Sequence, residues 1–271
     1  MCGIVGYVGR TMDDTALNVV MEGLARLEYR GYDSAGVALV TEDGVATEKR
    51  SGKLENLRSA LEAHPLAPSR TGIGHTRWAT HGGPTDGNAH PHRGGEGNRL
   101  ALIHNGIIEN FHSLKKQLLA EGVEFSSETD TEVAAKLVGR EYDRLGDLTE
   151  AMRAVVSRLE GAFTLLAVHA DSPGVAVGAR RNSPLVVGLG DGANFLGSAV
   201  AAVIVMPAMS SRLALLIAAA KDTSPLPTPA DRLKMSVLPA RNTTRVGVPP
   251  VTKVRARRAP SVRSRGSALL S

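Results

Sequence analysis

Met1-Cys2-Gly3-Ile4-Val5-Gly6-Tyr7 opens the chain, and its reading governs the rest. Cys2 is the only cysteine among 271 residues. A small side chain after the initiator methionine makes Met1 removable by aminopeptidase. The result would be a thiol and a free α-amine on one residue. A free α-amine titrates at about 7.7–8.0, far below lysine, so it can accept a proton near neutral pH. A nucleophile that carries its own amine base is a known device for N-terminal Thr, and the logic extends to Cys. Gly3 leaves space beside the sulfur, and Ile4-Val5-Gly6-Tyr7-Val8 reads as a buried strand that would hold it. An ordinary buried cysteine in a first strand is the competing reading at this point.

Downstream, Ala16, Leu17, Val20, Met21, Leu24 and Leu27 recur at helical spacing, so residues 14–30 read as an amphipathic helix capped by Asp13 or Asp14. Gly31 ends it, and Arg30 and Asp33 flank a turn across which they can pair. Residues 37–40 and 45–50 form a hairpin around Glu42-Asp43-Gly44. Residues 54–63 form a helix. The stretch Gly72-Ile73-Gly74-His75-Thr76-Arg77-Trp78-Ala79-Thr80-His81 reads as a strand delivering Arg, Trp, Thr and His to a glycine-rich loop. A guanidinium there suits a fixed carboxylate, because it offers a two-pronged donor.

Leu100 to Ile103 reads as a strand ending in His104-Asn105-Gly106, with a helix starting at Ile107. An amide side chain beside an exposed backbone N–H makes an oxyanion hole when both converge on one point; a plain Asn-Gly turn is the other reading. Thr129 and Glu132 have capping-box spacing, which puts Asp130 in a helix first turn. A further helix over 148–159 precedes strands at 161–169, 174–179, 184–188 and near Phe195. Antiparallel strands at both ends with helices between imply an α+β fold. His81, His90, His92 and Cys2 match no compact zinc spacing.

Composition excludes several classes. There is no apolar run near 18 residues free of charges, hence no membrane span. There is no basic-then-apolar leader, and one cysteine suits a reducing cytoplasm. The net charge of +5 is uneven. Residues 198–271 hold 12 of the 32 Lys and Arg but only Asp222 and Asp231 as acids, with eight of the 14 prolines and neither aromatic nor histidine. The first 197 residues are net acidic.

Taken together, MCGIVGYVG, RLEYRGYDSAG, GIGHTRWATHG, NAHPH, HNGIIEN and ETDTEV resemble the class II, N-terminal-nucleophile glutamine amidotransferases. Within that class the chain looks like the glutaminase half of the fructose-6-phosphate aminotransferases, over residues 1–197. The resemblance implies a four-layer αββα sandwich with two antiparallel sheets. It implies that Cys2 attacks the amide of L-glutamine, releasing ammonia and leaving a thioester for water to hydrolyse. By matched motif, Arg77 would hold the substrate carboxylate and Asp130 its ammonium. Asn105 and the Gly106 N–H would form the oxyanion hole, Trp78, Thr80 and His81 would line the pocket, and Arg30 would stand near the nucleophile. His90 is matched without an assigned role. No metal and no cofactor is required. Fructose 6-phosphate would bind only through isomerase domains that this chain lacks, and the family's dimer contacts lie largely in that half.

The resemblance stops near Ser198. The basic Pro/Arg/Ala-rich tail over 198–271 reads as a frame-shifted or disordered segment, with an appended real segment and a nucleic-acid-binding arm as alternatives. Lack of aromatics for stacking counts against nucleic acid. Rival functions are a catalytically silent truncated fragment and the glutaminase half of an amidophosphoribosyltransferase, against which EYRGYDSAG argues.

Overall fold

The computed structural model describes residues 2–190, 192–203, 214–217 and 251–255. Two antiparallel sheets face each other. The first holds β1 (Gly3–Asp13), β2 (Ser34–Thr41), β3 (Gly44–Ser51), β4 (Ser69–Arg77), β9 (Val186–Leu189), β10 (Asn194–Gly197) and β11 (Ala214–Ile217), in the order β11-β9-β10-β1-β4-β2-β3. The second holds β5 (His92–Gly94), β6 (Leu100–Ile108), β7 (Gly161–His169), β8 (Val175–Arg181) and β12 (Val251–Arg255), in the order β12-β8-β7-β6-β5.

Side-chain alternation builds the layers, since successive strand residues point to opposite faces. On β1, Ile4 and Val8 meet Ala101 and Ile103 of β6 and Leu166 and Val168 of β7 in the core between the sheets. Val5 and Tyr7 point the other way, into a core shared with helices α1 (Thr15–Leu27) and α2 (Leu54–Ala63). Leu100, Leu102 and Ile108 of β6 likewise face α3 (Phe111–Ala120), α4 (Asp130–Leu145) and α5 (Leu148–Val156). The result is the αββα sandwich. Close approach of α1 to its sheet explains a glycine: a Cβ on Gly74 would lie 2.3 Å from a Val20 methyl. Leu24, on that same helix face, is fully buried, and truncating it to Ala would cost about 2–5 kcal/mol.

Two expectations need correction. First, β6 does not end at Ile103. It pairs with β7 as far as Ile108 with Gly161, so Asn105-Gly106 lies inside a strand and the helix starts only at Phe111. Asn-Gly favours turns locally, but the long partner strand overrides that preference; Gly106 sits at φ 116°, where a Cβ would meet the Ala162 carbonyl at 2.1 Å. Second, only half of the capping box forms. Thr129 Oγ1 accepts the Glu132 N–H at 3.3 Å, while the Glu132 carboxylate takes the N–H groups of Ser126 and Ser127 instead. Within residues 198–271, residues 214–217 pair with β9 and residues 251–255 with β8, each extending a sheet edge. The rest of the tail lies outside the described residues.

The candidate active site

A cavity of about 390 Å³ opens where β1 begins and β4 and β6 end, beside the start of α4. Cys2, Arg30, Arg77, Trp78, Thr80, Asn105, Gly106 and Asp130 all line it. His81 does not: its ring packs edge-on against Phe111 at 5.1 Å, and only its backbone carbonyl contributes, accepting from Arg77. Arg30 and Asp33 do not pair across their turn. Arg30 donates to the Ser198 carbonyl at 3.3 Å, and Asp33 accepts from the backbone of Ala79.

Cys2 enters from the head of β1, whose Ile4 is clasped by Ser198 through both backbone and hydroxyl. Sγ lies 3.2 Å from the Trp78 N–H, which donates to it. Burial pushes the thiol above its ordinary pKa; the Trp78 N–H and the charge of Arg77 oppose this without cancelling it. Such a thiol is protonated at neutral pH and needs a base. Its hydrogen-bond contacts are both with the Trp78 backbone, so among the described residues no side-chain base touches it.

Arg77 is almost fully buried at the end of β4. Nη1 donates to the Gly83 carbonyl at 3.1 Å and Nη2 to the carbonyls of His81 and Gly82, which curls the glycine loop around the guanidinium. A guanidinium has five N–H donors, so the fork is not exhausted. Asp130, the first residue of α4, accepts from the Ile108 N–H at 2.9 Å and stands 3.8 Å from His104 Nδ1. Asn105 donates from Nδ2 to the Cys2 carbonyl at 2.9 Å.

The sequence reading passed over His75, His104, Thr131 and Ser198. His75 and Arg77 are two apart on β4 and so share a strand face, which was the available signal. His90 lines the cavity, and its ring lies 4.2 Å from that of His75. His81, His90, His92 and Cys2 do not converge; among the described residues no group of three His, Cys, Asp or Glu is placed to hold a metal ion.

A lone cysteine heading the central strand of one of two facing sheets, over a cavity walled by Arg, Asn-Gly and Asp, defines the N-terminal-nucleophile amidotransferase architecture. Residues 75–204 match the model of the glutamine amidotransferase domain. The glutamine–fructose-6-phosphate aminotransferase [isomerizing] of Leifsonia xyli subsp. xyli is 67% identical over 205 residues, covering 75% of this chain and 33% of that protein. The protein of the same name from Streptomyces coelicolor is 65% identical over 204 residues, covering 75% and 32%. Among solved structures, the glutamine phosphoribosylpyrophosphate amidotransferase of B. subtilis superposes with a TM-score of 0.62 at 27% identity, over 74% of this chain and 42% of that one. The chain therefore carries a class II glutamine amidotransferase domain. It spans about a third of the length of the curated relatives it matches.

Proposed function

We propose that the chain hydrolyses L-glutamine to glutamate and ammonia, with Cys2 as nucleophile. The observation that carries this is Cys2 Sγ beside the Trp78 N–H in a cavity that also holds Arg77, Asn105 and Asp130. With Met1 removed, the Cys2 α-amine takes the thiol proton and the sulfur attacks the side-chain amide carbon. The developing oxyanion is met by Asn105 Nδ2 and the Gly106 N–H. On collapse the C–N bond breaks, the amine-held proton passes to the leaving nitrogen, and ammonia departs. Water then adds to the thioester, regenerating the thiol and releasing glutamate.

The donors of Arg77 left over from the glycine loop bind the substrate carboxylate, and Asp130 binds its ammonium. Trp78 and Thr80 wall the pocket, with Trp78 half-exposed at its mouth, and Arg30 fixes Ser198 behind the nucleophile. Neither metal nor cofactor enters the scheme.

Residues 1–197 form the catalytic unit of this reading. The aminotransferase relatives, at 67% and 65% identity, favour ammonia destined for fructose 6-phosphate in amino-sugar synthesis over a phosphoribosyl acceptor. That transfer needs chain beyond the matched region. No helix among the described residues is long and apolar enough to cross a membrane, and the reading places the chemistry in the cytoplasm.

The test is glutamate release from glutamine by the purified chain, with Cys2→Ala alongside. Turnover lost in Cys2→Ala supports the reading. A folded wild-type chain with no turnover points to a silent fragment and overturns it.

A further inference from the structure

We propose that His75 is a positioning residue for the oxyanion site: its Nε2–H holds the Asn105 amide so that Nδ2 faces the nucleophile. The inference rests on the glutaminase reading above and follows from donor and acceptor chemistry. An Asn amide can be turned either way round. Here one end meets the Cys2 carbonyl at 2.9 Å, and a carbonyl only accepts, so that end is Nδ2. Oδ1 therefore faces His75 Nε2, at 2.9 Å. Oδ1 also only accepts, so Nε2 carries the proton. One Nδ2 hydrogen is spent on the Cys2 carbonyl, and the other is left for the oxyanion. A flipped amide would present a carbonyl oxygen to the developing negative charge, which repels it.

The surroundings keep His75 in this state. Its ring has no solvent exposure, and its Nδ1, the bare acceptor in the Nε2–H tautomer, is buried without a hydrogen-bond partner. The neighbouring His90 accepts the His104 N–H on Nδ1, at 3.4 Å, so that ring too is bare at the atom concerned. Burial pushes the His75 pKa to about 3, which leaves the ring neutral across the working range. Strand β4 thus serves the site twice, through Arg77 directly and through His75 by way of Asn105.

The experiment compares the full chain with His75→Leu, which removes the donor, and His75→Gln, whose amide N–H can replace Nε2–H. Loss of an oxyanion donor lowers kcat by about 100-fold or more. His75→Leu should show that fall with glutamine KM changed by less than about threefold, and His75→Gln should recover most of it. Alkylation of Cys2 by iodoacetamide, a displacement that forms no oxyanion, should run at the wild-type rate in both. Unchanged kcat in His75→Leu, or a His75→Gln as slow as His75→Leu, overturns the proposal. Long-range 1H–15N NMR on the intact chain separates the two readings. An Nδ1–H tautomer at His75 overturns the positioning role even in an active enzyme. An inactive chain with the Nε2–H tautomer and a shifted Asn105 amide overturns the glutaminase reading while the hydrogen bond stands.

Discussion

Asp33 grips Ala79 and Arg77 at once: its Oδ2 accepts the Ala79 N–H at 2.8 Å and its own N–H donates to the Arg77 carbonyl at 3.0 Å. The residue between them is Trp78, whose N–H meets the sulfur of Cys2. One residue, through its carboxylate and its own N–H, therefore fixes the backbone that faces the nucleophile. Asp33→Ala should cost about 1–3 kcal/mol of stability, the range for losing a charged acceptor. It should also lower glutaminase kcat/KM about tenfold. Asp33→Asn, which keeps an acceptor oxygen, should retain most of both. Urea denaturation with steady-state kinetics checks this, and an Asp33→Ala variant with wild-type values would refute it.

Retention of Met1 should abolish turnover while leaving the fold intact. The thiol of Cys2 is already pushed up by burial and has no side-chain base in contact. A general base must lie within hydrogen-bond reach of its proton, and an α-amine one residue away is misplaced. Intact-mass analysis of the N-terminus, run beside the glutaminase assay, reads this. Equal rates for processed and unprocessed protein would remove the α-amine as base. His81 would be a poor replacement, since it stands outside the cavity lining.

The domain should lose stability steeply as pH falls below about 6.5. His75, His90, His92 and His104 are buried, and burial lowers the pKa of each. The unfolded chain binds protons at these residues near pH 6.5, while the folded chain holds them neutral, His75 down to about 3. Below pH 6.5 the unfolded state therefore binds more protons, and stability falls as pH falls. Each histidine contributes about 1.4 kcal/mol per pH unit once its unfolded form is charged. His75, His90 and His92, the most strongly lowered, should together remove on the order of 5 kcal/mol between pH 6.5 and 5. Urea midpoints across that range measure it, and a flat profile would contradict it.

Glu132→Ala should be among the more damaging changes outside the cavity lining. Its buried carboxylate takes the N–H of Ser126 at 2.9 Å and of Ser127 at 2.6 Å. Truncation strands the buried Ser127 donor, at about 1–3 kcal/mol, and leaves the N–H of exposed Ser126 to water. Glu132→Gln, with one acceptor oxygen left, should cost about half as much. Thermal unfolding of the two variants tests the order.

Much of this molecule was legible from residue patterns. Val5 and Tyr7 alternate with Ile4 and Val8 in the period of a strand buried on both faces, and α2 and β7 match their expected spans residue for residue. The carbonyls that grip Arg77 were not legible, because loop backbone carries no side-chain signature. The extension of β6 through Asn105-Gly106 was hidden for a related reason. Its cause is the register with β7, some sixty residues downstream, while Asn-Gly itself signals a turn. His81 shows the limit of motif transfer, since a matched position put its ring beside Phe111 instead of in the pocket.

The pairing of β1 with β10 bears on how the protein is made. Val5 lies opposite Gly197 and Ile4 is bonded to Ser198, so the nucleophile's strand closes its sheet across nearly the whole described domain. Contacts so distant in sequence form slowly, after the loop between them has been closed. On the ribosome, the segment bearing Cys2 emerges before every other described element, yet its last neighbour comes only after the helices and the second sheet's main strands. Until β10 is made that aliphatic strand has an open flank, and a nascent chain stalled before Asn194 would present it to whatever edge or chaperone is nearest.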